Sequence, residues 1–244
     1  MFPIRDHNPS GRVPFVTFAL IAVNVVVFLS YYPGASERWL MGFYYSWGAI
    51  PADLWSAERL VTLLTHMFLH AGWMHLIGNM LFLWIFGDNL ESEMGHVGFL
   101  AFYLACGLAA EVAQALPDPY STVPMVGASG AIAGVMGGYL LLFPKARVDV
   151  IVIMVILFRI FTLPAWIVLG IWFAIQIFSG FAVPGDGVAY LAHAGGFVAG
   201  LLLTLPVWLR RGGRAFWAQT EGHPPHPDAE YRISQSRIPK VGRR

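Results

Sequence analysis

The stretch GASGAIAGVMGGYLLLF, residues 127–143, combines small residues with a continuous apolar surface. Ser129, Ala133 and Gly137 recur in it at positions i, i+4 and i+8, so they share one face of a helix. Small residues on one face allow the backbone of a second helix to approach closely inside a membrane. The stretch therefore predicts a membrane helix from Ser129 to Phe143 that packs tightly against a partner, with a serine at its start.

The partner helix is predicted from the stretch AHAGGFVAG, residues 192–200. His193, Gly196 and Gly200 stand there at i, i+3 and i+7, which again describes one helical face. The histidine heads this face, as Ser129 heads the first. The two stripes thus predict a close helix pair with a hydroxyl and an imidazole at the same end.

The composition places the whole chain in a lipid environment. Of its 244 residues, 57% are hydrophobic and only 12% are charged, and the mean hydropathy is +0.62. This apolar excess exceeds that of ordinary soluble domains and indicates a bilayer as the solvent. The net charge of +1 argues against nucleic acid as a partner. The lone cysteine, Cys106, lies in an apolar run and is interpreted as helix filler.

Six segments have the length and character of membrane spans. The fold class is therefore all-α, a six-helix membrane bundle with a long outer loop, residues 33–71, between the first two helices. The predicted spans are Val13–Tyr32, Gly72–Leu90, His96–Leu116, Ser129–Phe143, Leu163–Ser179 and Val188–Leu209.

Lysine and arginine set the predicted orientation, because they are rarely translocated in short loops. Both termini are expected on the cytoplasmic side. No cleavable signal or organelle-targeting presequence is recognised, which favours a prokaryotic plasma membrane. The basic residues assigned to the cytoplasmic side are Arg5, Arg12, Lys145, Arg147, Arg210, Arg211 and Arg214.

The predicted organisation is a short cytoplasmic segment, 1–12, a membrane domain, 13–209, and a flexible basic cytoplasmic tail, 210–244. The apolar run 150–180 is too long for one span and too short for two. Pro164 is expected to divide it into an interfacial piece and the fifth helix.

Polar residues lie near the outer starts of the second, fourth and sixth predicted helices. His75 and Asn79 occupy the first two turns of the second helix, Ser129 opens the fourth, and His193 follows the start of the sixth. Such residues are costly in hydrocarbon and are expected to face the bundle interior or a water-filled cavity. A functional layer near the outer surface is therefore predicted.

The chemistry of these groups suits acyl transfer. A serine hydroxyl needs a neighbouring base, and the imidazole of His193 can supply one. No carboxylate is predicted at the same depth, which favours a Ser-His pair over a triad. His75, Asn79 and the backbone N–H of Ser129 can donate hydrogen bonds to a developing oxyanion.

Three ordered motifs resemble those of the rhomboid proteases: HAGWMHLIGN at 70–79, GASG at 127–130 and AHAGG at 192–196, followed by Gly200. The resemblance covers essentially the whole membrane domain. It implies an intramembrane serine endopeptidase that cleaves transmembrane segments of other proteins without a metal or organic cofactor.

The resemblance also implies roles for individual residues. Ser129 and His193 would be catalytic, and His75 and Asn79 would serve the oxyanion. Family members often carry an aromatic ring four residues after the nucleophile, packed on the base, whereas this chain has Ala133. A different neighbour must therefore orient His193. The residues expected to support the site structurally are His70, Gly127, Gly130, Gly196 and Gly200.

Other interpretations compete with these assignments. Serine is a favoured helix cap, so Ser129 alone would be read as one. His66, His70 and His75 invite a zinc site, but their spacing fits no familiar zinc pattern. Glu111 and Gln176 are interpreted as structural polar groups in apolar segments. The competing function is a catalytically inactive rhomboid-like binder or transporter of client helices. The oligomeric state is left open.

Overall fold

The computed structural model describes residues 2–8, 10–54, 59–154, 157–182, 187–227 and 229, which contain nine α-helices, three strands and two short 3-10 helices, Pro51–Asp53 and His66–Phe68. The helices are α1 (Phe15–Tyr31), α2 (Glu37–Trp47), α3 (Thr62–Thr65), α4 (Trp73–Met94), α5 (His96–Ala115), α6 (Ser129–Leu142), α7 (Ala165–Ala182), α8 (Tyr190–Arg210) and α9 (Arg214–Thr220). The strands are β1 (Phe2–Asp6), β2 (Arg147–Met154) and β3 (Leu157–Pro164).

Six of these helices, α1 and α4 to α8, occupy the six predicted spans. Three of them, α5, α7 and α8, are each long and apolar enough to cross a membrane. A fourth span is obtained if α4 and the bent segment Thr62–Phe68, which lie at 94° to each other, count as one. The helices α1 and α6 are apolar but shorter, with 17 and 14 residues. By length and composition, the described residues therefore support three to four spans.

The segment between α1 and α4 is not an open loop, because it contains α2 and α3. Ser36 caps α2 by accepting a hydrogen bond from the backbone N–H of Trp39 (3.3 Å). None of the side chains of α2 is buried, and its Trp39 and Phe43 rings stack on each other. The exposed Trp39 and the half-buried Phe43 suit an anchoring role at a membrane interface.

The glycines of α6 and α8 bring these two helices into backbone contact. A Cβ atom at Gly196 would overlap the carbonyl oxygen of Gly130, and one at Gly200 would overlap that of Gly134. The predicted close pairing is therefore present. On α6 the contact is made by Gly130 and Gly134 and also by Gly137 of the inferred stripe, where a Cβ atom would overlap the carbonyl oxygen of Phe197.

A three-stranded antiparallel sheet, in the order β1-β2-β3, corrects the prediction of an all-α fold. Pro164 does divide the apolar run, but the first piece is a β-hairpin and α7 begins at Ala165. The run is rich in valine and isoleucine, whose branched side chains favour strands. Val148 and Val150 are fully buried beneath the sheet.

Asp149 fastens the sheet together. Its carboxylate accepts hydrogen bonds from Arg5 Nε (2.6 Å), Thr162 Oγ1 (2.6 Å) and the His7 ring (2.8 Å). Although burial raises the pKa of Asp149, these three partners outweigh it and hold the pKa below its ordinary value. One carboxylate therefore joins all three strands.

The beginning of the predicted flexible tail is ordered. Residues Arg214–Thr220 form α9, whose Phe216 is buried. The indole Nε1 of Trp217 donates to the carbonyl oxygen of Leu141 at the end of α6 (3.0 Å). The prediction of a flexible extension from residue 210 is thus wrong for this part, because two aromatic side chains attach it to the bundle. Residues 230–244 of the tail lie outside the described residues.

The first strand is tied to the helices through Asp6, which is 7% exposed. Its Oδ2 accepts hydrogen bonds from the Asn89 side-chain amide (2.8 Å) and the Tyr139 hydroxyl (3.1 Å). Burial, and next the repulsion from Asp88, raise the pKa of Asp6 to about 7. A protonated Asp6 therefore fits this position better than an ionised one.

The substitution Asp6→Asn is expected to stabilise the protein more at pH 8 than at pH 5. A carboxyl whose folded-state pKa is raised loses stability as the pH climbs from its unfolded pKa, about 3.9, to about 7. Asparagine keeps an acceptor oxygen without the charge. We expect Tm in detergent to rise by about 5 °C at pH 8 and less at pH 5. Equal shifts at both pH values would contradict the assignment, and the exposed Asp118→Asn is the control.

Candidate active site

Ser129 and His193 meet where α6 and α8 begin. The Ser129 Oγ lies 2.8 Å from the Nε2 atom of His193. The two side chains are 64 positions apart in the chain, and the glycine contacts between their helices bring them together. Both side chains are partly buried, so the pair remains partly accessible from outside the protein.

Two residues of α7, Gln176 and Trp172, lie beside the imidazole of His193. The Nδ1 atom of His193 lies 2.8 Å from Oε1 of Gln176, and the Trp172 ring lies 6.0 Å from the imidazole, between ring centres. Ala133 stands where an aromatic ring would pack on His193, so the sequence predicts that some other residue orients the imidazole. Gln176 and Trp172 occupy that place in the structure. From the sequence alone, Gln176 is interpreted as a structural polar group. The available signal was a polar side chain in an otherwise apolar helix.

His75 is held so that one ring nitrogen can donate toward Ser129. Its Nδ1 accepts a long hydrogen bond from the backbone N–H of Ala71 (3.4 Å), which places the proton on Nε2. A Cβ atom at Gly127 would lie 2.8 Å from this Nε2 and 3.5 Å from Ser129 Oγ. Gly127 has φ +136°, a conformation that favours glycine. A side chain at position 127 would therefore fill the space between His75 and Ser129.

Asn79 lies one turn after His75 on the same face of α4. It is 8% exposed, and its Nδ2 has no hydrogen-bond partner within the described ranges of the chain. Buried amide donors are normally paired. An unpaired buried donor on the same helical face as His75 is available to a ligand, as an oxyanion site requires.

The segment that leads to Ser129 is fixed by the residues before α4. The backbone N–H of Gly127 donates to the carbonyl oxygen of His66 (2.9 Å), and Ala49 and Met125 exchange two backbone hydrogen bonds. The ring of His66 faces Glu111, with 3.5 Å between Nε2 and Oε2, and both side chains are buried. Glu111 therefore contacts the outer segment.

His70 braces this region through its backbone. Its carbonyl oxygen accepts hydrogen bonds from the hydroxyls of Tyr31 (2.7 Å) and Tyr44 (3.1 Å), while its ring packs edge-on against His75. His70 thus links α1 and α2 to the ring of His75. In the described ranges, no three His, Cys, Asp or Glu side chains are grouped as metal ligands.

The first turns of α6 and α8 fix the backbone around Ser129 and His193. Ser129 is the first residue of α6, so helical bonding leaves its backbone N–H available. On α8, the N–H of Ala192 is satisfied by the side chain of Gln114 (3.0 Å), which fixes the turn that carries His193.

The site combines a hydroxyl bonded to an imidazole, a second partner on the far nitrogen of that imidazole, and the ring of His75 across Gly127 from the hydroxyl. This set can activate an oxygen nucleophile and stabilise an oxyanion. Together with the apolar helices, it describes a membrane protein with a polar site at one end of its helix bundle.

Comparison with known proteins identifies the family. The Rhomboid domain model matches residues 57–210, so the chain belongs to the rhomboid family. The chain is 28% identical over 196 residues to Rhomboid protein 1, mitochondrial, of Saccharomyces cerevisiae, covering 77% of this chain and 51% of the yeast protein. It is 31% identical to Rhomboid-like protease 3 of Toxoplasma gondii, covering 77% of this chain and 68% of that one.

A bacterial relative is also similar. Rhomboid protease GluP of Bacillus subtilis is 35% identical over 130 residues, covering 52% of this chain and 24% of the relative. The chain thus spans about half the length of the yeast relative and about a quarter of the Bacillus one. Mitochondrial and chloroplastic proteins occur among the relatives alongside bacterial ones. Family membership therefore assigns the chain to a membrane, and the comparisons do not support the predicted choice of a prokaryotic plasma membrane.

Proposed function

We propose that this protein is an intramembrane serine endopeptidase in which Ser129 is the nucleophile and His193 its base. The observation that carries the proposal is the 2.8 Å contact between Ser129 Oγ and His193 Nε2. Nε2 accepts the hydroxyl proton as Oγ attacks the carbonyl carbon of a peptide bond. The relatives from Bacillus and Toxoplasma carry the name protease, which agrees with this activity.

The tetrahedral intermediate carries its negative charge on the former carbonyl oxygen. His75 Nε2, Asn79 Nδ2 and the Ser129 backbone N–H are the donors assigned to it. The protonated His193 then gives its proton to the leaving amine, and the acyl-enzyme forms. Water, deprotonated by the same imidazole, attacks the ester, and the imidazolium returns this proton to Ser129 Oγ as the ester bond breaks and the second product leaves.

The substrates we propose are transmembrane segments of other proteins. A helix hides its carbonyl groups in internal hydrogen bonds, so the cleaved region must unwind before Ser129 can reach it. Segments with glycine near the cut are therefore favoured. In this proposal, all six apolar helices cross the bilayer, both termini lie on one side, and the site lies near the opposite, extracytoplasmic surface.

The test is cleavage of a model transmembrane substrate in proteoliposomes by the purified wild type and by Ser129→Ala. We expect the wild type to produce two fragments and the alanine variant to produce none above the enzyme-free control. The absence of cleavage by the folded wild type, across several glycine-containing substrates, would favour the inactive rhomboid-like binder. Equal cleavage by both proteins would indicate another nucleophile or a contaminant.

Asn79→Ala is expected to lower kcat by about 10²-fold with little change in KM, because an oxyanion donor acts mainly in the transition state. Kinetics on the same substrate would measure this. A substitution one residue away, Gly78→Ala, adds a methyl group into open space and serves as the control. If kcat of Asn79→Ala stays at the wild-type value, Asn79 is not an oxyanion donor.

A further inference from the structure

The outer part of α7 has one buried side chain, and it is polar. Of the 18 residues of α7, the buried ones are Ala165, Val168, Leu169 and Gln176. From Gly170 to Ala182, therefore, only Gln176 is buried, while Ile175 and Phe178 on either side are exposed. An uncharged apolar residue would cost far less at this position of a membrane helix. Packing alone does not explain the choice of glutamine.

The hydrogen bonds of Gln176 determine which tautomer of His193 is present. Its Nε2 faces the carbonyl oxygen of Trp172, one turn earlier (3.5 Å), so its Oε1 faces the Nδ1 of His193 (2.8 Å). A carbonyl oxygen can only accept a hydrogen bond, so the proton of the neutral imidazole lies on Nδ1. The lone pair then lies on Nε2, which faces the hydroxyl of Ser129. This is the tautomer that a general base requires.

We propose that Gln176 is a positioning residue that holds His193 in the Nδ1–H tautomer and in the rotamer that reaches Ser129. This inference rests on the proposed function. Gln176 occupies the place that a carboxylate takes in a Ser-His-Asp triad, with a neutral acceptor instead. The neutral amide suits a site flanked by apolar residues, because burying an amide costs less than burying a carboxylate.

The placement of Gln176 also couples the base to α7. Trp172 and Gln176 are one turn apart on this helix; Gln176 contacts the Nδ1 atom of His193, which does not face Ser129, and the Trp172 ring lies beside the imidazole. Any displacement of the outer part of α7 would therefore remove both neighbours of the imidazole together. The tautomer and orientation of His193 then depend on the docking of a helix that buries no other side chain in this part.

The decisive variants are Gln176→Met and Gln176→Glu. Methionine keeps the length and the helix propensity but removes the carbonyl acceptor, whereas glutamate restores an oxygen at the same place. For Gln176→Met we expect kcat to fall by about 10²-fold with KM unchanged, and for Gln176→Glu a kcat within about tenfold of the wild type. The control is Ile175→Met, which changes the exposed neighbour. The rate at which a fluorophosphonate labels Ser129 should follow kcat across the series.

A second readout reports the tautomer directly. In protein labelled with ¹⁵N-histidine, the NMR signals of His193, assigned with His193→Ala, should show a protonated Nδ1 in the wild type and in Gln176→Glu. In Gln176→Met the two tautomers should mix.

Wild-type kcat and an unchanged tautomer in Gln176→Met would overturn the inference, as would a Gln176→Glu variant as slow as Gln176→Met. These results leave the proposed function standing as long as the wild type cleaves and Ser129→Ala does not. If the wild type itself does not cleave, the proposed function fails, and the NMR signals still decide whether Gln176 sets the tautomer.

Discussion

Replacing His193 with alanine is expected to lower kcat/KM by about 10⁴-fold, because the Ser129 hydroxyl then loses the only base within hydrogen-bond reach among the described residues. Nothing else in that part of the chain is bonded to Ser129 Oγ. Residual activity would come from the oxyanion donors and from substrate positioning, which the substitution leaves in place. Steady-state kinetics in proteoliposomes measure the loss.

The double variant Ser129→Ala with His193→Ala provides the matching control. Residues that act as one catalytic unit are not additive, so the double variant should be no slower than Ser129→Ala alone. If His193→Ala retains a tenth or more of the wild-type kcat/KM, the two residues do not form the proposed pair.

Replacing Gly200 with valine is expected to abolish cleavage and to lower Tm in detergent by about 10 °C. A Cβ atom at Gly200 would overlap the backbone of Gly134, including its carbonyl oxygen. Because a backbone cannot rotate away as a side chain can, α8 must move off α6. A displacement of about 1 Å already costs about 10²-fold in rate when it separates catalytic groups.

The control for this substitution is Gly170→Val on α7. A Cβ atom at Gly170 would have nothing within 4 Å, so the same added side chain should leave activity and Tm close to those of the wild type. Wild-type cleavage by Gly200→Val would show that Ser129 and His193 do not depend on the close contact between α6 and α8. Equal losses in both variants would indicate that valine, and not the contact, is responsible.

The elements that position the candidate site were predictable because each rests on a local signal. Apolar length marks the six helices, and the spacing of the small residues marks the contact between α6 and α8. The sequence order of three motifs links Ser129, His193 and His75 before any coordinates are known. Asn79 follows from its place one helical turn after His75.

The features that the sequence did not reveal depend on distant partners. β1 and β2 pair across more than 140 positions, and no local pattern indicates that Asp149 joins Arg5 and His7. Gln176 is visible in the sequence only as a polar residue in an apolar helix, because its meaning depends on how α7 packs beside His193. The same holds for α9, whose attachment through Trp217 requires the end of α6.

The central claim is that His193 makes the hydroxyl of Ser129 a nucleophile. The most direct measurement is labelling of the purified protein with a fluorophosphonate, followed by intact-mass and peptide mass spectrometry. We predict one adduct per chain, on the peptide that contains Ser129, and none in Ser129→Ala or, over the same time, in His193→Ala. An adduct on a different serine, labelling that is equally fast in His193→Ala, or no adduct on a wild type that cleaves its substrate would contradict the claim.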